Sequence, residues 1–141
     1  MYDLERFLTA QEKMYPIALR EMSAGCKESH WMWFIFPQLK GLGFSSTAKY
    51  YGLSGKEEAA AYLSHPVLGK RLREITTVLL KVDNNNAEEI MGYPDYLKLQ
   101  SCMTLFAQIS REDDALLFNR ILDKFYDGKL DEKTLEILWK N

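Results

Sequence analysis

Apolar residues recur every three or four positions along most of the chain, which is the spacing that gathers side chains on one face of an α-helix. The first such stretch covers residues 3–24 and is followed by Gly25, a residue type that commonly ends helices. Pro16 lies inside this stretch. Because proline has no backbone N–H to donate, it predicts a kink or a break near Tyr15.

Capping side chains and prolines at first helical positions mark the later helices. A short helix is predicted over residues 45–51, and further start signals follow at Ser54, Pro66, Asn86, Pro94, Ser110 with Asp113, and Asp131. The pattern gives about eight helices and no convincing strand. The predicted fold is therefore all-α: a compact single-domain bundle over residues 1–141, orthogonal rather than simple up-down.

The composition fits this fold and excludes several classes of protein. The chain has 141 residues with only 8 glycines and 4 prolines, which disfavours turn-rich β-sandwiches and disorder. The net charge of −2 makes nucleic acid an unlikely partner, because such proteins depend on a strong basic field. The longest apolar run covers residues 31–36, far short of the roughly 20 residues of a membrane span. No membrane association is expected.

The two cysteines, Cys26 and Cys102, are far apart, and the acidic start of the chain does not resemble a signal peptide. Both are expected to be reduced thiols in a cytoplasmic protein. No spacing of histidines and cysteines suggests a metal site, and no cofactor motif is present. The sequence leaves the oligomeric state open.

Residues 27–38 are the least ordinary segment, because aromatic and polar side chains alternate there without a clean period. Trp31 or Trp33 could stack on a planar ligand such as a nucleobase, Gln38 could hydrogen-bond beside it, and Lys27 could hold a phosphate group. The alternative is that the tryptophans are simply core residues.

A glycine-rich turn follows at residues 40–46. Gly41, Gly43 and Ser45 could direct backbone N–H groups towards an anion, although an ordinary tight turn has the same composition. Arg71 and Lys98, each on a predicted helix, could hold phosphate groups, whereas their ordinary role would be in ion pairs.

Two residues near the aromatic segment could carry catalysis. Glu21, on the last turn of the first helix, could act as an acid or base on a bound ligand, or could be a solvated surface carboxylate. His30 could be a general base or a hydrogen-bonding residue, and it lies four residues from Cys26.

Several motifs resemble a known family across essentially the whole chain. They are His30-Trp31-Met32-Trp33, Phe36-Pro37-Gln38, Gly41-Leu42-Gly43, the segment from His65 to Leu72, Asp95 with Lys98 and Ser101, and Met103-Thr104-Leu105-Phe106. The resemblance is to the bacterial domain of unknown function number 1810. It implies a small, all-helical cytoplasmic domain and no particular activity.

A fainter similarity is to the NADAR proteins, which are helical and linked to ADP-ribose and NAD metabolism. It rests on Lys124-Phe125, followed by Leu130 and Leu135. This similarity bears only on the choice of ligand class.

The favoured hypothesis is a protein that binds, and could hydrolyse, a nucleotide-like or ADP-ribose-like small molecule. If it is an enzyme, a hydrolase such as an N-glycosidase is expected, with Glu21 activating water beside a cationic transition state. The alternative is a noncatalytic protein-interaction module that docks through the aromatic segment.

Overall fold

The computed structural model describes residues 2–140, and nine α-helices lie within that range. They are α1 (Glu5–Ala24), α2 (Met32–Ile35), α3 (Ser46–Tyr51), α4 (Lys56–Ser64), α5 (Leu68–Leu80), α6 (Ala87–Met91), α7 (Asp95–Ile109), α8 (Glu112–Tyr126) and α9 (Glu132–Leu138). Over residues 2–140 there is no strand, only one isolated bridge between Leu39 and Leu53. The all-α prediction is confirmed.

The one helix that the sequence did not predict is α2, which lies inside the aromatic segment of residues 27–38. It has four residues, Met32–Ile35, so it completes barely one turn and produces no repeat in the sequence. The predicted number of helices, about eight, is therefore one fewer than the nine observed in residues 2–140.

Pro16 does not break the first helix, which runs without interruption over Glu5–Ala24. The side chains that α1 buries include Gln11 and Tyr15, whereas Pro16 is exposed. The carbonyl that loses its partner belongs to Glu12, one turn earlier on the same exposed side, where water can bind it. The helix therefore tolerates the proline.

The two predicted caps Asn86 and Asp131 are present as side-chain hydrogen bonds, and Ser45, which the sequence predicts as the first residue of its helix, is a third cap. Asn86 accepts from the backbone N–H of Glu89 at 3.1 Å, Ser45 caps α3 and Asp131 caps α9. Ser110 does not cap α8, because its hydroxyl donates back to the carbonyl of Phe106.

The starts of α4 and α5 differ in detail from the predictions. At α4, the carboxylate of Glu58 rather than Glu57 accepts from the backbone N–H of Ser54, at 2.7 Å. At α5, the ring of His65 accepts from the backbone N–H groups of Val67 and Leu68, so the helix begins after Pro66 rather than at it.

The core is built around α7, which packs against α4, α6, α8 and α9, while α5 packs against α1, α4 and α8. The largest fully buried side chains include Trp31, Tyr62, Phe7, Phe36, Phe106 and Phe118. Within the described residues, no helix is long and apolar enough to cross a membrane.

Asp131 links the last helix to α7 and should therefore contribute measurably to stability. Its carboxylate accepts from the backbone N–H of Thr134 and from the hydroxyl of Ser101, both at 3.1 Å. We expect Asp131→Ala to lower the free energy of unfolding by about 1–2 kcal/mol, since a lost cap costs about 1 kcal/mol. Urea denaturation measures this, with the exposed neighbour variant Glu132→Ala as the control. Equal stability of the two variants would contradict the prediction.

Candidate functional site

A groove of about 390 Å³ lies between the loop of residues 38–44, the start of α7 and the start of α9. We call it the lysine groove, after Lys98 and Lys133. Its other polar lining residues are Gln38, Gln100, Ser101 and Asp131, and its apolar lining residues are Leu42, Phe44, Pro94 and Leu97. The backbone of Gly41 and Gly43 completes one wall.

The loop wall of the groove is held by backbone pairing with the segment after α3. The N–H of Lys40 donates to the carbonyl of Leu53 at 2.8 Å, and the N–H of Leu53 donates to the carbonyl of Gln38 at 2.9 Å. A side chain at Gly43 would meet the Cβ of Ala48 at 2.7 Å. The glycine-rich turn therefore packs directly against α3.

Phe44 projects from this loop and is 81% exposed. Leu97, on the opposite side of the groove, is 42% exposed. Water-exposed apolar side chains facing a groove offer a surface for the flat, apolar part of a ligand.

Trp33 borders the same region and lies against Lys98. The ammonium nitrogen of Lys98 is 4.7 Å from the centre of the Trp33 ring, and both residues line a small cavity next to the groove together with Gln38. A cation over an aromatic face is attracted by the ring electrons. Trp33 thus orients the lysine.

Asp95 connects Lys98 to Lys27 at the start of α7. One carboxylate oxygen lies 2.8 Å from the Lys27 nitrogen, and the other lies 3.8 Å from the Lys98 nitrogen. Lys27 also donates to the carbonyl of Ser29 at 2.6 Å, and its side chain is only 7% exposed. Lys27 therefore holds the aromatic segment against α7 and is not free for a ligand.

Glu21 organises the loop before α2. Its carboxylate accepts from the backbone N–H groups of Glu28 and Ser29, from the Ser29 hydroxyl, and from the indole N–H of Trp31 at 2.9 Å. Burial tends to raise the pKa of Glu21, but these hydrogen bonds favour the charged form more strongly and lower the pKa to about 2.

Through these contacts Glu21 stabilises the loop before α2, which is a structural role. A carboxyl with a pKa of about 2 is a weak base at neutral pH, and it does not line the lysine groove. The catalytic role of Glu21 stays a prediction that its surroundings do not favour.

The structure places Trp31 in the core rather than at a ligand surface. Its side chain is fully buried, at 0% exposure, and its ring packs 6.1 Å from that of Phe36. A ligand cannot stack on it without displacing core residues. Of the two tryptophans in the aromatic segment, Trp33 is the one that lines the small cavity next to the groove.

Three other predicted site residues lie away from the groove. His30 is exposed, and its side chain makes no hydrogen bond to the described residues. Ser45 caps α3, and Arg71 lines a separate pocket beside α1. The structure brings Gln38, Gly41, Gly43 and Lys98 to the groove, with Trp33 against Lys98 in the adjoining cavity. It does not bring His30, Ser45 or Arg71 to the groove.

Sequence reasoning missed Phe44 and Lys133 as groove residues. Phe44 follows the glycine turn directly, so its position was an available signal. Lys133 lies more than thirty residues after Lys98, and no local pattern connects the two.

The groove has the chemistry of an anion site with an apolar rim. Two ammonium groups border it, while the carboxylate of Asp131 is occupied by the cap of α9. Over residues 2–140, no group of three or more histidine, cysteine or acidic side chains could hold a metal ion.

Comparison with known proteins shows the family but no activity. The family model "Protein of unknown function (DUF1810)" matches residues 1–138. A crystal structure of the conserved hypothetical protein Rv1873 from Mycobacterium tuberculosis is 47% identical, with 99% of each chain covered and a TM-score of 0.95. A search of curated proteins found no match. The chain belongs to the DUF1810 family.

Proposed function

We propose that the lysine groove binds a nucleotide-like or ADP-ribose-like small molecule, with phosphate groups at Lys98 and Lys133. The observation that carries this proposal is that both lysines and the exposed ring of Phe44 border one groove of about 390 Å³. Ligand pockets of drug-sized molecules begin at about 300 Å³, so the space suffices for a mononucleotide-sized ligand.

The phosphate end of the ligand is assigned to the lysine side of the groove. Lys98 is tied to Asp95 only at 3.8 Å, while the opposite oxygen of that carboxylate is engaged closely by Lys27. Lys133 is exposed and takes part in no ion pair among the described residues. Both ammonium groups are therefore available to an anion.

The ring of the ligand is assigned to Phe44. Stacking of a base on an aromatic side chain contributes about 1–3 kcal/mol. The amide of Gln38, beside Lys98, can donate to and accept from the edge of a base or the hydroxyls of a sugar.

Binding without turnover is the better supported form of the proposal. N-glycoside hydrolysis needs a carboxylate beside the reacting carbon, whereas Glu21 is held by the loop before α2 and does not line the groove.

The proposal also includes the reduced, cytoplasmic state that the sequence predicts. The two cysteines are both free, which is consistent with it.

A thermal-shift screen against nucleotides, NAD, ADP-ribose and sugar phosphates tests the proposal. A ligand that binds only the folded state adds about 2.7 kcal/mol of stability at one hundred times its Kd. We expect Lys98→Ala and Lys133→Ala each to weaken binding about tenfold or more, because a hydrogen bond to a charged group contributes about 1.5–3 kcal/mol.

Phe44→Ala should weaken the same ligand while leaving the melting temperature of the free protein unchanged, because this ring is exposed. The exposed Lys13→Ala variant on α1 is the charge-matched control and should bind normally. Binding that survives both groove lysine variants would contradict the assignment.

The second candidate is a protein-interaction module. The apolar side chains of Phe44, Tyr93 and Leu97 are 81%, 74% and 42% exposed, and Phe44 and Leu97 border the same groove. Exposed apolar patches mark interaction surfaces. A well-folded protein that responds to none of the small molecules would favour this second function.

A further inference from the structure

A second pocket, of about 430 Å³, lies between the middle of α1 and the first half of α5. We call it the arginine pocket. It is lined by Tyr15, Pro66, Val67, Lys70, Arg71 and Glu74 and shares no residue with the lysine groove. The function proposed above makes no use of it.

Arg71 is held in the arginine pocket by two contacts from α1. Its guanidinium carbon lies 5.2 Å from the centre of the Tyr15 ring, and its Nη1 donates to the side-chain oxygen of Gln11 at 3.2 Å. Gln11 is itself 1% exposed and fixed by hydrogen bonds to the carbonyl of Phe34 and the hydroxyl of Tyr62. The orientation of the guanidinium is therefore set from inside the core.

The rest of the guanidinium has no partner within residues 2–140. Arg71 takes part in no salt bridge there, and its only side-chain hydrogen bond is the one to Gln11. A planar guanidinium with free N–H groups matches the two oxygens of a carboxylate or phosphate. Lys70, the preceding residue, adds a second positive charge to the same pocket.

Glu74 lies one turn after Arg71 and supplies the opposite charge. Its Oε1 accepts from the hydroxyl of Tyr15 at 2.5 Å, whereas its Oε2 accepts no hydrogen bond from the described residues. Glu74 and Arg71 form no salt bridge with each other, although they are three residues apart on one helix. The pocket thus presents an unpaired cation and a free carboxylate oxygen side by side.

We propose that the arginine pocket is a second ligand site, which binds a small zwitterion. The carboxylate or phosphate group of the ligand binds Arg71 and Lys70, and its ammonium group binds the free oxygen of Glu74. A simple anion is disfavoured because it would lie beside the charge of Glu74 without compensating it. Pro66, Val67 and the Tyr15 ring provide an apolar wall for the ligand's carbon atoms.

Two matched pairs of probes test the proposal. Glycine and acetate share a carboxylate, phosphoethanolamine and inorganic phosphate share a phosphate, and in each pair only the first carries an ammonium group. We would titrate each into the ¹⁵N-labelled protein at constant ionic strength and follow the signals of residues 66–74, including the Arg71 side chain. The zwitterion of a pair should bind about tenfold more tightly than the anion, as expected for one charge-assisted contact.

Exposed variants separate ligand binding from folding. Glu74→Gln keeps an acceptor for Tyr15 but removes the charge, so it should abolish the difference within each pair. At the signals of residues 66–74, Lys70→Ala should weaken the response to all four probes, whereas Lys133→Ala in the lysine groove should leave that response unchanged. The pair that binds more tightly identifies the ligand's anionic group as carboxylate or phosphate.

Three results would overturn the proposal. They are signal shifts that rise linearly without saturation, equal binding of zwitterion and anion in both pairs, and an unchanged preference in Glu74→Gln. Shifts confined to the lysine groove would overturn it as well and would leave the function proposed there intact.

Discussion

Gly69→Ala is expected to lower the free energy of unfolding by more than about 3 kcal/mol, which puts it among the most damaging single substitutions. A Cβ at this position would lie 1.9 Å from the carbonyl oxygen of Leu63 and 2.8 Å from its carbonyl carbon. Both atoms are backbone, so no side-chain rotation can relieve the overlap. The variant can fold only if α4 and α5 move apart, which opens the core between them.

Urea denaturation followed by circular dichroism measures this loss, and Gly55→Ala is the matched control. Position 55 has an extended backbone with φ 166°, and an added Cβ would meet only the carboxylate of Glu57, at 3.8 Å. Because Gly55 is the N-cap of α4, where glycine is preferred to alanine, Gly55→Ala should cost at most about 1 kcal/mol. If both variants lose little stability, the close contact between α4 and α5 is wrong.

Glu21→Ala should lower the free energy of unfolding by about 2–4 kcal/mol. The substitution removes the acceptor of the Trp31 indole N–H and of the backbone N–H groups of Glu28 and Ser29. Leaving a buried donor without a partner costs about 1–3 kcal/mol, and the indole of Trp31 is fully buried. The exposed donors of the loop can turn to water and add less.

The same carboxylate makes stability depend on pH. The pKa of Glu21 is about 2 in the folded chain, below its ordinary value of 4.5, so the unfolded chain binds a proton first as the pH falls. The stability that Glu21 contributes is therefore complete above about pH 4.5 and is lost progressively towards pH 2. The difference in unfolding free energy between the natural chain and Glu21→Gln should be constant above about pH 4.5 and should narrow from there towards pH 2.

Glu28→Ala is the control for both measurements, because the Glu28 side chain is exposed and makes no hydrogen bond within the described residues. Its free energy of unfolding should be close to that of the natural chain at every pH. A pH-independent gap for Glu21→Gln would mean that the carboxylate is not held by the loop.

Much of the fold was predictable because its signals are local. Asn86 and Asp131 each cap the helix that follows directly, through a backbone N–H three residues later, so the signal is contained in a few neighbouring residues. The predictions at Pro16 and Ser110 were wrong because the effect of each residue depends on its surroundings. Pro16 lies on an exposed helix face, and the Ser110 hydroxyl donates to the carbonyl of Phe106 instead of capping α8. Local sequence cannot supply that information.

The candidate site was less predictable because tertiary packing decides which side chains meet. Trp31 and Trp33 are two residues apart in one segment, yet Trp31 is in the core and Trp33 lines the small cavity beside the groove. Arg71 has the residue type of a phosphate ligand but faces α1, since α5 turns that side towards Tyr15. Lys133 reaches the groove because α9 packs against α7, and Asp131 is one of the residues that join the two helices.

The backbone pairing of Leu39 with Leu53 has a thermodynamic consequence for the groove. The pairing fixes both ends of the loop that contains the glycine-rich wall. Most of the conformational entropy of this wall is therefore lost when the chain folds, and little is left to lose when a ligand binds. Loops that are ordered in advance bind with less entropic opposition. The freedom that remains to be lost lies mainly in the exposed Phe44 side chain, so affinity at this wall should depend on the rotation of one aromatic ring.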